Sequence, residues 1–373
     1  MAKTHTASIA DRDEDYRRIG INRDSIAAWE DGARTDGRSG TYEWWYFDAH
    51  LDDGAKLVVI FMTKDLSAPK TPLMPMIRLN LDLPDGRSRT FIRTFPAESY
   101  SASEASADVR IGNNRFSGDL SHYRIDVELD DVKVHVTLDG QIQPWRPHTG
   151  YLVFGPDRDK EFSWLPAVPH GTVRGSYEIE GARTNVTGGG YHDHNWGNVG
   201  MMSIINDWYW ARGEAGPYSV IASYISAHKD YEYEPIPIFM LARDGKVIAD
   251  DSNFVHFQAT EAYVDQQTGK PVAAVTRYVY DDGSDRYVVT FSKQRDLVAN
   301  KFVDEMKGWR SLAARMIRFD GAYLRFAGDL TIEHWRRNAV VDSFSEEAIW
   351  EIMYFGHNRV DDASPVRPAR VRA

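Results

Sequence analysis

Residues 41–62 read TYEWWYFDAHLDDGAKLVVIFM, and this stretch contains two strand-like runs separated by the turn signal Asp53-Gly54. Alternation with a period of two places successive side chains on opposite faces of a strand. An Asp-Gly pair between two such runs indicates a β-hairpin. Residues 76–95 repeat the pattern around Asp85-Gly86. The sequence therefore predicts consecutive antiparallel hairpins.

The second half of the chain contains the same kind of pattern. Residues 207–228 read DWYWARGEAGPYSVIASYISAH, and residues 236–250 read IPIFMLARDGKVIAD. An aromatic strand, a glycine turn and a β-branched strand follow one another here, as they do in residues 44–62, which indicates an internal duplication. We therefore predict an all-β fold of two antiparallel barrels or sandwiches, not a parallel sheet with crossover helices.

Changes in composition divide the chain into four parts. We predict an N-terminal arm on the surface (residues 1–40), a first β unit (41–200), a second β unit (201–358) and a disordered tail (359–373) that is rich in proline and arginine. Only a few short helices are expected. The two helical candidates are residues 23–32 (RDSIAAWEDG) and residues 296–309 (DLVANKFVDEMKGW).

Composition excludes several classes of function. The chain has 373 residues, no cysteine and a net charge of -11, which excludes disulfides, thiolate catalysis and cysteine-ligated metals. Because no basic stripe is present, we expect no nucleic acid partner. The N-terminus lacks an apolar run, and no segment is long and apolar enough to span a membrane, so we expect a cytoplasmic protein. The 46 aromatic residues (11 Trp, 19 Tyr and 16 Phe) favour a pocket for a large apolar ligand.

Residues 188–197 read GGGYHDHNWG and form the main candidate for a functional site. In a strand, His192, His194 and Trp196 share one face, whereas Asp193 points to the other. The three glycines let the chain bend or let another backbone approach closely, and Gly197 is expected to end the strand.

This motif has three interpretations. His-x-His on a strand is a metal-binding arrangement of cupin-type barrels, but the carboxylate that such a site needs a few residues later is absent, so we expect no metal ligands. A second interpretation is structural, with Asp193 and the histidines joining the two β units through hydrogen bonds. The third is proton transfer, because histidine titrates near neutral pH.

Glu43 lies in the aromatic segment TYEWWYFDAH of residues 41–50 and forms the second candidate. Strand alternation places Glu43, Trp45 and Phe47 on one face. A carboxylate among aromatic rings either pairs with a partner across the sheet or keeps its proton because of desolvation. A structural glutamate bonded to Arg or His and a catalytic acid are both consistent with the sequence.

Together, the motifs EWWYFDAHL (residues 43–51) and GYHDHNWG (residues 190–197) resemble the paired signature of a lipocalin-like family. That family includes carotenoid 1,2-hydratases (hydroxyneurosporene synthases), AttH-like proteins and decalin-forming Diels-Alderases. The resemblance covers residues 38–358 and implies two consecutive lipocalin-like β-barrels, a ligand site at their junction and no cofactor. It also implies that His194 and Trp196 protonate an alkene and hold the resulting cation. The hydratases have a Tyr-x-Asp on a following strand, where this chain has Tyr224-Ile225-Ser226.

These observations lead to a preferred hypothesis, an enzyme that acts without a cofactor on a large apolar isoprenoid, polyene or polyketide. The reaction would be alkene hydration, isomerisation or cyclisation, which corresponds to a hydro-lyase or an isomerase. The candidate catalytic residues are His194, Trp196, His192, Asp193 and Glu43. The candidate substrate-binding residues are Trp45, Phe47, Trp210, Tyr224 and Trp350. The alternatives are a carrier of a lipid-like ligand and a histidine-ligated metal oxygenase. The sequence does not determine the oligomeric state.

Overall fold

The computed structural model describes residues 7–302 and 320–356. The chain divides into two compact units, Ile9–Met201 and Met202–Ala373, the latter together with Met1–Ser8. Residues 359–373, for which the sequence predicts disorder, lie outside the described residues. No helix in the described ranges is long and apolar enough to cross a membrane.

Strands make up most of both units. In chain order they are β1 (Ala7–Ile9), β2 (Tyr42–Leu51), β3 (Lys56–Met62), β4 (Met76–Asp82), β5 (Ser88–Thr94), β6 (Tyr100–Ala102), β7 (Asp108–Ile111), β8 (Asn114–Gly118), β9 (His122–Leu129), β10 (Val132–Gly140), β11 (Tyr151–Phe154), β12 (Lys160–Ile179), β13 (Ala182–Gly197), β14 (Ile205–Ala215), β15 (Tyr218–Ala227), β16 (Pro235–Arg243), β17 (Lys246–Ala249), β18 (Val255–Val264), β19 (Pro271–Asp281), β20 (Arg286–Lys301), β21 (Ala322–Arg336) and β22 (Ala339–Tyr354). The helices are α1 (Asp13–Ile19) and the short 3-10 helices Ala28–Asp31, Ala97–Ser99, Met201–Ser203, Lys229–Tyr231 and Ser252–Phe254.

The first unit is built on an antiparallel sheet of hairpins, and the pairing of β2 with β13 joins strands that are far apart in the chain. The strand order is β5-β4-β3-β2-β13-β12-β10-β9-β8-β7-β6. In the β2–β3 hairpin, Trp45 lies opposite Phe61. The apolar side chains of one face form a buried core that includes both residues. This arrangement confirms the hairpins predicted from residues 41–95.

The second unit repeats this topology with a core of its own. Its strand order is β17-β16-β15-β14-β22-β21-β20-β19-β18. In each unit, the first strand of a four-strand meander (β2 or β14) pairs with the strand of the sheet that comes last along the chain (β13 or β22). The matching order supports the internal duplication, and the predicted all-β, lipocalin-like fold is confirmed.

The prediction of a helix at residues 296–309 is wrong for its first part. Residues 296–301 belong to β20, where Val298 pairs with Arg325 and Ala299 with Leu324 of β21. Pairing with β21 satisfies the backbone groups, and two register shifts let the strand continue past its irregular positions. Tertiary pairing therefore overrides the local helical pattern. Residues 303–309 lie outside the described part of the chain.

The N-terminal arm also differs from the prediction. The helix predicted over residues 23–32 is only the 3-10 turn Ala28–Asp31, and α1 (Asp13–Ile19) was not predicted. Asp31 is buried, at 1% exposure, so this part of the arm does not lie on the surface. Its main-chain carbonyl accepts a hydrogen bond from the Trp45 indole nitrogen at 3.0 Å, which connects the arm to the core of the first unit.

Candidate functional site

The candidate site forms where β13 lies between β2 and β12 in the first unit. The register places His194 opposite Trp45 and Trp196 opposite Glu43. A Cβ atom at Gly188 would lie 2.2 Å from the carbonyl oxygen of His50, so the glycine permits the close backbone approach that the sequence predicts. The strand ends at Gly197, also as predicted.

Glu43 is fully buried and bonded on both carboxyl oxygens. Oε1 accepts from the Arg34 main-chain N–H at 2.6 Å and lies 2.8 Å from Nε2 of His194. Oε2 accepts from the main-chain N–H and the hydroxyl of Thr35, at 2.9 and 2.8 Å. Because the Arg34 and Thr35 groups are donors, the carboxyl group acts as an acceptor, and Nε2 of His194 donates to it.

Asp31 provides a second buried carboxylate beside the two histidines. Its Oδ2 atom lies 3.1 Å from Nε2 of His192 and accepts a hydrogen bond from the Tyr123 hydroxyl at 2.5 Å. Nδ1 of His192 donates to the main-chain carbonyl of Tyr46 at 2.8 Å. Burial lowers the pKa of His192, but the Asp31 charge and the hydrogen bonds outweigh burial and raise the pKa above its ordinary value.

His194 lies between the two carboxylates. Its Nδ1 atom is 3.4 Å from Oδ1 of Asp31, and neither atom has a hydrogen-bond partner in the described structure. The ring stacks on Trp45 at a centroid distance of 4.5 Å, and the Trp196 centroid is 4.7 Å away. The two imidazoles give each buried carboxylate a hydrogen-bond partner, which lowers the cost of burying these groups.

Asp193 lies on the opposite face of β13, as predicted. Its Oδ2 atom accepts hydrogen bonds from the Trp164 indole nitrogen and the Tyr191 hydroxyl, both at 2.8 Å. Oδ1 accepts from the Asn195 side chain at 2.7 Å. Burial is the largest influence on this carboxyl group and raises its pKa to about 6, although the hydrogen bonds oppose the shift.

Trp164 and Trp196 line the same small pocket in the first unit, together with Trp29, Arg34 and Tyr151. The pocket is partly open, and its interior has room for about one water molecule. Gly150 also lines the pocket and has a φ of +79°, and a Cβ atom there would lie 2.9 Å from the Trp164 carbonyl oxygen. Glycine is therefore required for both the backbone conformation and the close approach.

Buried groups on both faces of β13, together with Glu43 of β2, contact residues that line this pocket. Asp193 fixes the Trp164 indole through a hydrogen bond, and His194 packs against the Trp196 ring. Glu43 bonds the main chain of Arg34, which is a third wall residue. Residues 164–166 (Trp-Leu-Pro) belong to β12, and the ladder between β12 and β13 shifts register between Leu165 and Val168.

The predicted site residues lie in different environments. His192, His194, Glu43, Trp45 and Phe47 are fully buried, with Trp45 and Phe47 in the core of the first unit. Trp210, Tyr224 and Trp350 belong to the second unit, where Tyr224 stacks on Phe257 at 4.1 Å and Trp350 lies 5.4 Å from Phe291. The roles of all these residues stay predictions.

Sequence reasoning did not find Asp31, Arg34, Tyr123 or Tyr151. The available signal for Asp31 was its place at the end of the short helical segment AWED, just before Gly32. Within residues 7–302 and 320–356, no group of three or more His, Asp or Glu side chains is placed to hold a metal ion.

The sequence model of the Diels-Alderase-like family matches residues 36–291. The chain belongs to the Diels-Alderase-like family. The family resemblance inferred from the two motifs is thereby confirmed. The names of its relatives support an enzyme of the isomerase or lyase type.

Curated members resemble the chain over part or most of its length. A quinolone epoxide rearrangement protein of Emericella nidulans is 22% identical over 72% of this chain and 77% of its own length. A hydroxyneurosporene dehydrogenase of Chlorobaculum tepidum is 28% identical over 46% of this chain and 53% of its own. This chain therefore spans about three quarters of the first relative and about half of the second.

Solved structures agree with the fold. An AttH protein of Nitrosomonas europaea superposes with a TM-score of 0.57 at 16% identity, over 88% of this chain and 96% of its own. A kievitone hydratase of Nectria haematococca gives a TM-score of 0.54 at 14% identity, over 89% and 93% of the two chains. At these identities the likeness shows the fold alone.

Proposed function

We propose that this Diels-Alderase-like chain is an enzyme that isomerises, cyclises or hydrates an unsaturated apolar small molecule without a cofactor. The observation that carries the proposal is that Trp196 lines a pocket of the first unit and that its indole packs against the buried His194 ring. Trp164 lines the same pocket, but its indole lies on the opposite face of β13, where it is bonded to Asp193. The relatives support this range of reactions, because their names include an epoxide rearrangement and a Diels-Alder reaction.

Indole walls suit this chemistry in two ways. At the mouth of the pocket, a flat aromatic surface packs against part of a conjugated chain and orients it for cyclisation, because the interior has room for about one water molecule only. Where positive charge develops, an indole face stabilises it by roughly 1 to 2 kcal/mol when water is excluded. Both effects depend on a rigid indole, and the contact between the Trp196 and His194 rings restrains the Trp196 indole.

His194 acts in this proposal as a positioning residue. Its ring is fully buried, Nε2 faces Glu43 and Nδ1 faces Asp31, so both nitrogens are directed at protein groups. The ring supports the Trp196 indole from within the core. Asp193 has a comparable role on the opposite face, and its pKa of about 6 also suits proton transfer near neutral pH.

Product analysis tests the proposed function. The purified protein is incubated with a panel of polyenes, isoprenoids and polyketide aldehydes, and the products are separated and weighed by mass spectrometry. Isomerisation or cyclisation gives a new compound of unchanged mass, whereas hydration adds the mass of one water. A carrier would return every bound ligand unchanged, and that result would overturn the proposal.

Two variants connect any activity to the pocket. Trp196→Leu removes one indole wall and should slow conversion, whereas Ile92→Ala changes a side chain that is 57% exposed on β5 and should leave it unchanged. An equal loss of conversion rate in both variants would indicate that the substitutions damage the fold and do not act through the pocket.

A further inference from the structure

The ammonium group of Lys64 is surrounded by main-chain carbonyl oxygens. The side chain is fully buried in the first unit, two residues after β3 ends. Nζ donates to the carbonyls of Gly37, Arg38 and Thr71 at 2.8, 2.9 and 2.8 Å, and the Pro69 carbonyl oxygen lies 3.5 Å away. These four oxygens, which we name the carbonyl cage, therefore converge on one positively charged atom.

The geometry requires the charged form of this lysine. Burial lowers the pKa of Lys64, and the nearby charge of Asp36 opposes that shift. An ammonium has three N–H donors, and the three short contacts use all of them. A neutral amine has one donor fewer and could not serve the three carbonyls at once.

The carbonyl cage joins two segments that are separate in the chain. Residues 37–38 belong to the N-terminal arm, and residues 69–71 belong to the loop between β3 and β4. The main-chain N–H of Gly40 also donates to the Pro69 carbonyl, at 2.9 Å. Lys64 is thus the buried charge where the arm meets this loop.

The same contacts reach the pocket of the first unit. Arg34 lines that pocket and lies three residues before Gly37. Its main-chain N–H donates to Glu43 at 2.6 Å, and the main-chain N–H of Glu43 donates to the Thr63 hydroxyl at 3.0 Å. Thr63 and Lys64 are adjacent, so one dipeptide holds both the arm and the glutamate to which the arm is bonded.

Several main-chain carbonyls directed at one point are the ligands that proteins use for monovalent cations. In potassium channels, such oxygens replace the hydration shell of K⁺. A lysine ammonium resembles these ions, because it is a compact, strongly hydrated point charge. Buried carbonyls that lose such a partner remain without a donor, which is unfavourable.

We propose that the carbonyl cage is a monovalent-cation site that Lys64 fills with its own ammonium group, and that Lys64 is thereby a positioning residue for the arm at Arg34. When the side chain is shortened, K⁺ or NH4⁺ takes the place of the ammonium. The wild-type protein needs no free cation there, because the lysine supplies the charge. The cage holds a cation whether or not the pocket converts a substrate.

Hydrogen exchange of the arm, measured by mass spectrometry on the full chain, tests this site. Lys64→Ala opens the carbonyl cage, whereas Lys64→Met fills the space without a charge. Both variants and the wild type are measured in KCl, NH4Cl and tetramethylammonium chloride at equal ionic strength, so that screening is the same. Tetramethylammonium carries the same charge but is larger and has no N–H donor. The peptide of residues 33–41 reports on the arm.

In tetramethylammonium chloride, we expect this peptide to exchange at least about tenfold faster in Lys64→Ala than in the wild type, because the carbonyls lose their donor. K⁺ or NH4⁺ should restore most of the protection in Lys64→Ala and none in Lys64→Met, whose apolar end occupies the cage. The wild type should exchange at the same rate in all three salts. Lys70→Ala, at an exposed lysine of the same loop, is the control and should behave like the wild type.

Two results would overturn the proposal. Wild-type protection of the arm in Lys64→Ala in every salt would show that the ammonium does not position the arm. Equal exchange of Lys64→Ala in KCl, NH4Cl and tetramethylammonium chloride would show that the cage takes no free cation.

Thermal denaturation in the same salts gives a second measurement if Lys64→Ala folds only in part. A Tm that rises with K⁺ or NH4⁺ in Lys64→Ala but not in the wild type would support the cation site, and a Tm that is equal in all three salts would overturn it. Product analysis of the wild-type protein is separate, so its failure would reject the proposed enzyme and leave the cation site in place.

Discussion

The His194 imidazole lies parallel to the Trp45 indole, with ring centroids 4.5 Å apart and 14° between the planes. The two residues are directly opposite each other on β13 and β2. Both ring nitrogens of His194 face buried carboxylates. This geometry places the imidazole inside the core of the first unit as a support for the Trp196 side of the pocket.

His194→Gln distinguishes a positioning role from proton donation. If the ring only supports Trp196, the variant should lose about 1 to 3 kcal/mol of unfolding free energy, because the stacking on Trp45 is lost and the buried hydrogen bond to Glu43 is disturbed. Turnover should fall while the shape of the pH–rate profile is kept. His122→Gln, at an exposed histidine, is the control. Disappearance of an inflection from the profile of His194→Gln would instead identify the ring as the proton donor.

His192 should make stability depend on pH. Its pKa is raised in the folded state, so its contribution is complete below the unfolded value of about 6.5 and is lost as the pH rises through the folded value. Urea denaturation across neutral and alkaline pH should show unfolding free energy falling on the alkaline side. His192→Gln should flatten this dependence. An identical slope in the variant would show that another group causes it.

Asp193 should make the free energy of unfolding depend on pH in a more acidic range than His192 does. Its folded pKa of about 6 exceeds the ordinary value of 3.8, so stability is higher when the carboxyl group is protonated and decreases as the pH rises from 3.8 to about 6. The expected decrease is about 3 kcal/mol. Asp193→Asn cannot titrate, so denaturation at several pH values should show a flatter curve. An unchanged curve would contradict the assignment.

The hairpins and the division of residues between strand faces could be predicted because they depend on local alternation. The face that carries His192 and His194 follows directly from a period of two. Asp31 could not be placed in the same way, since it lies in an irregular segment and its contact with His192 spans 161 residues. Helical spacing at residues 296–301 was misleading because cross-strand pairing determines that segment.

Alanine substitutions at Gly150 and Gly155 distinguish the cost of backbone strain from the cost of a steric clash. Both have a φ near +80°, but a Cβ atom would meet the Trp164 carbonyl oxygen only at Gly150, and open space at Gly155. Gly155→Ala should cost about 1 kcal/mol of unfolding free energy from the left-handed conformation. Gly150→Ala should cost clearly more and should also weaken binding in the pocket. Thermal denaturation of both variants measures the difference, and equal losses would show that no clash occurs.

The most direct test is the kcat/KM of Trp196→Leu for a substrate that the wild-type protein converts, with Ile92→Ala measured in parallel. Because Trp196 forms a wall of the pocket and is supported by His194, we expect kcat/KM to fall at least about tenfold, or about 1.4 kcal/mol of transition-state stabilisation. The control should stay at the wild-type value. Wild-type kcat/KM in a folded Trp196→Leu protein would show that the reaction takes place away from this pocket.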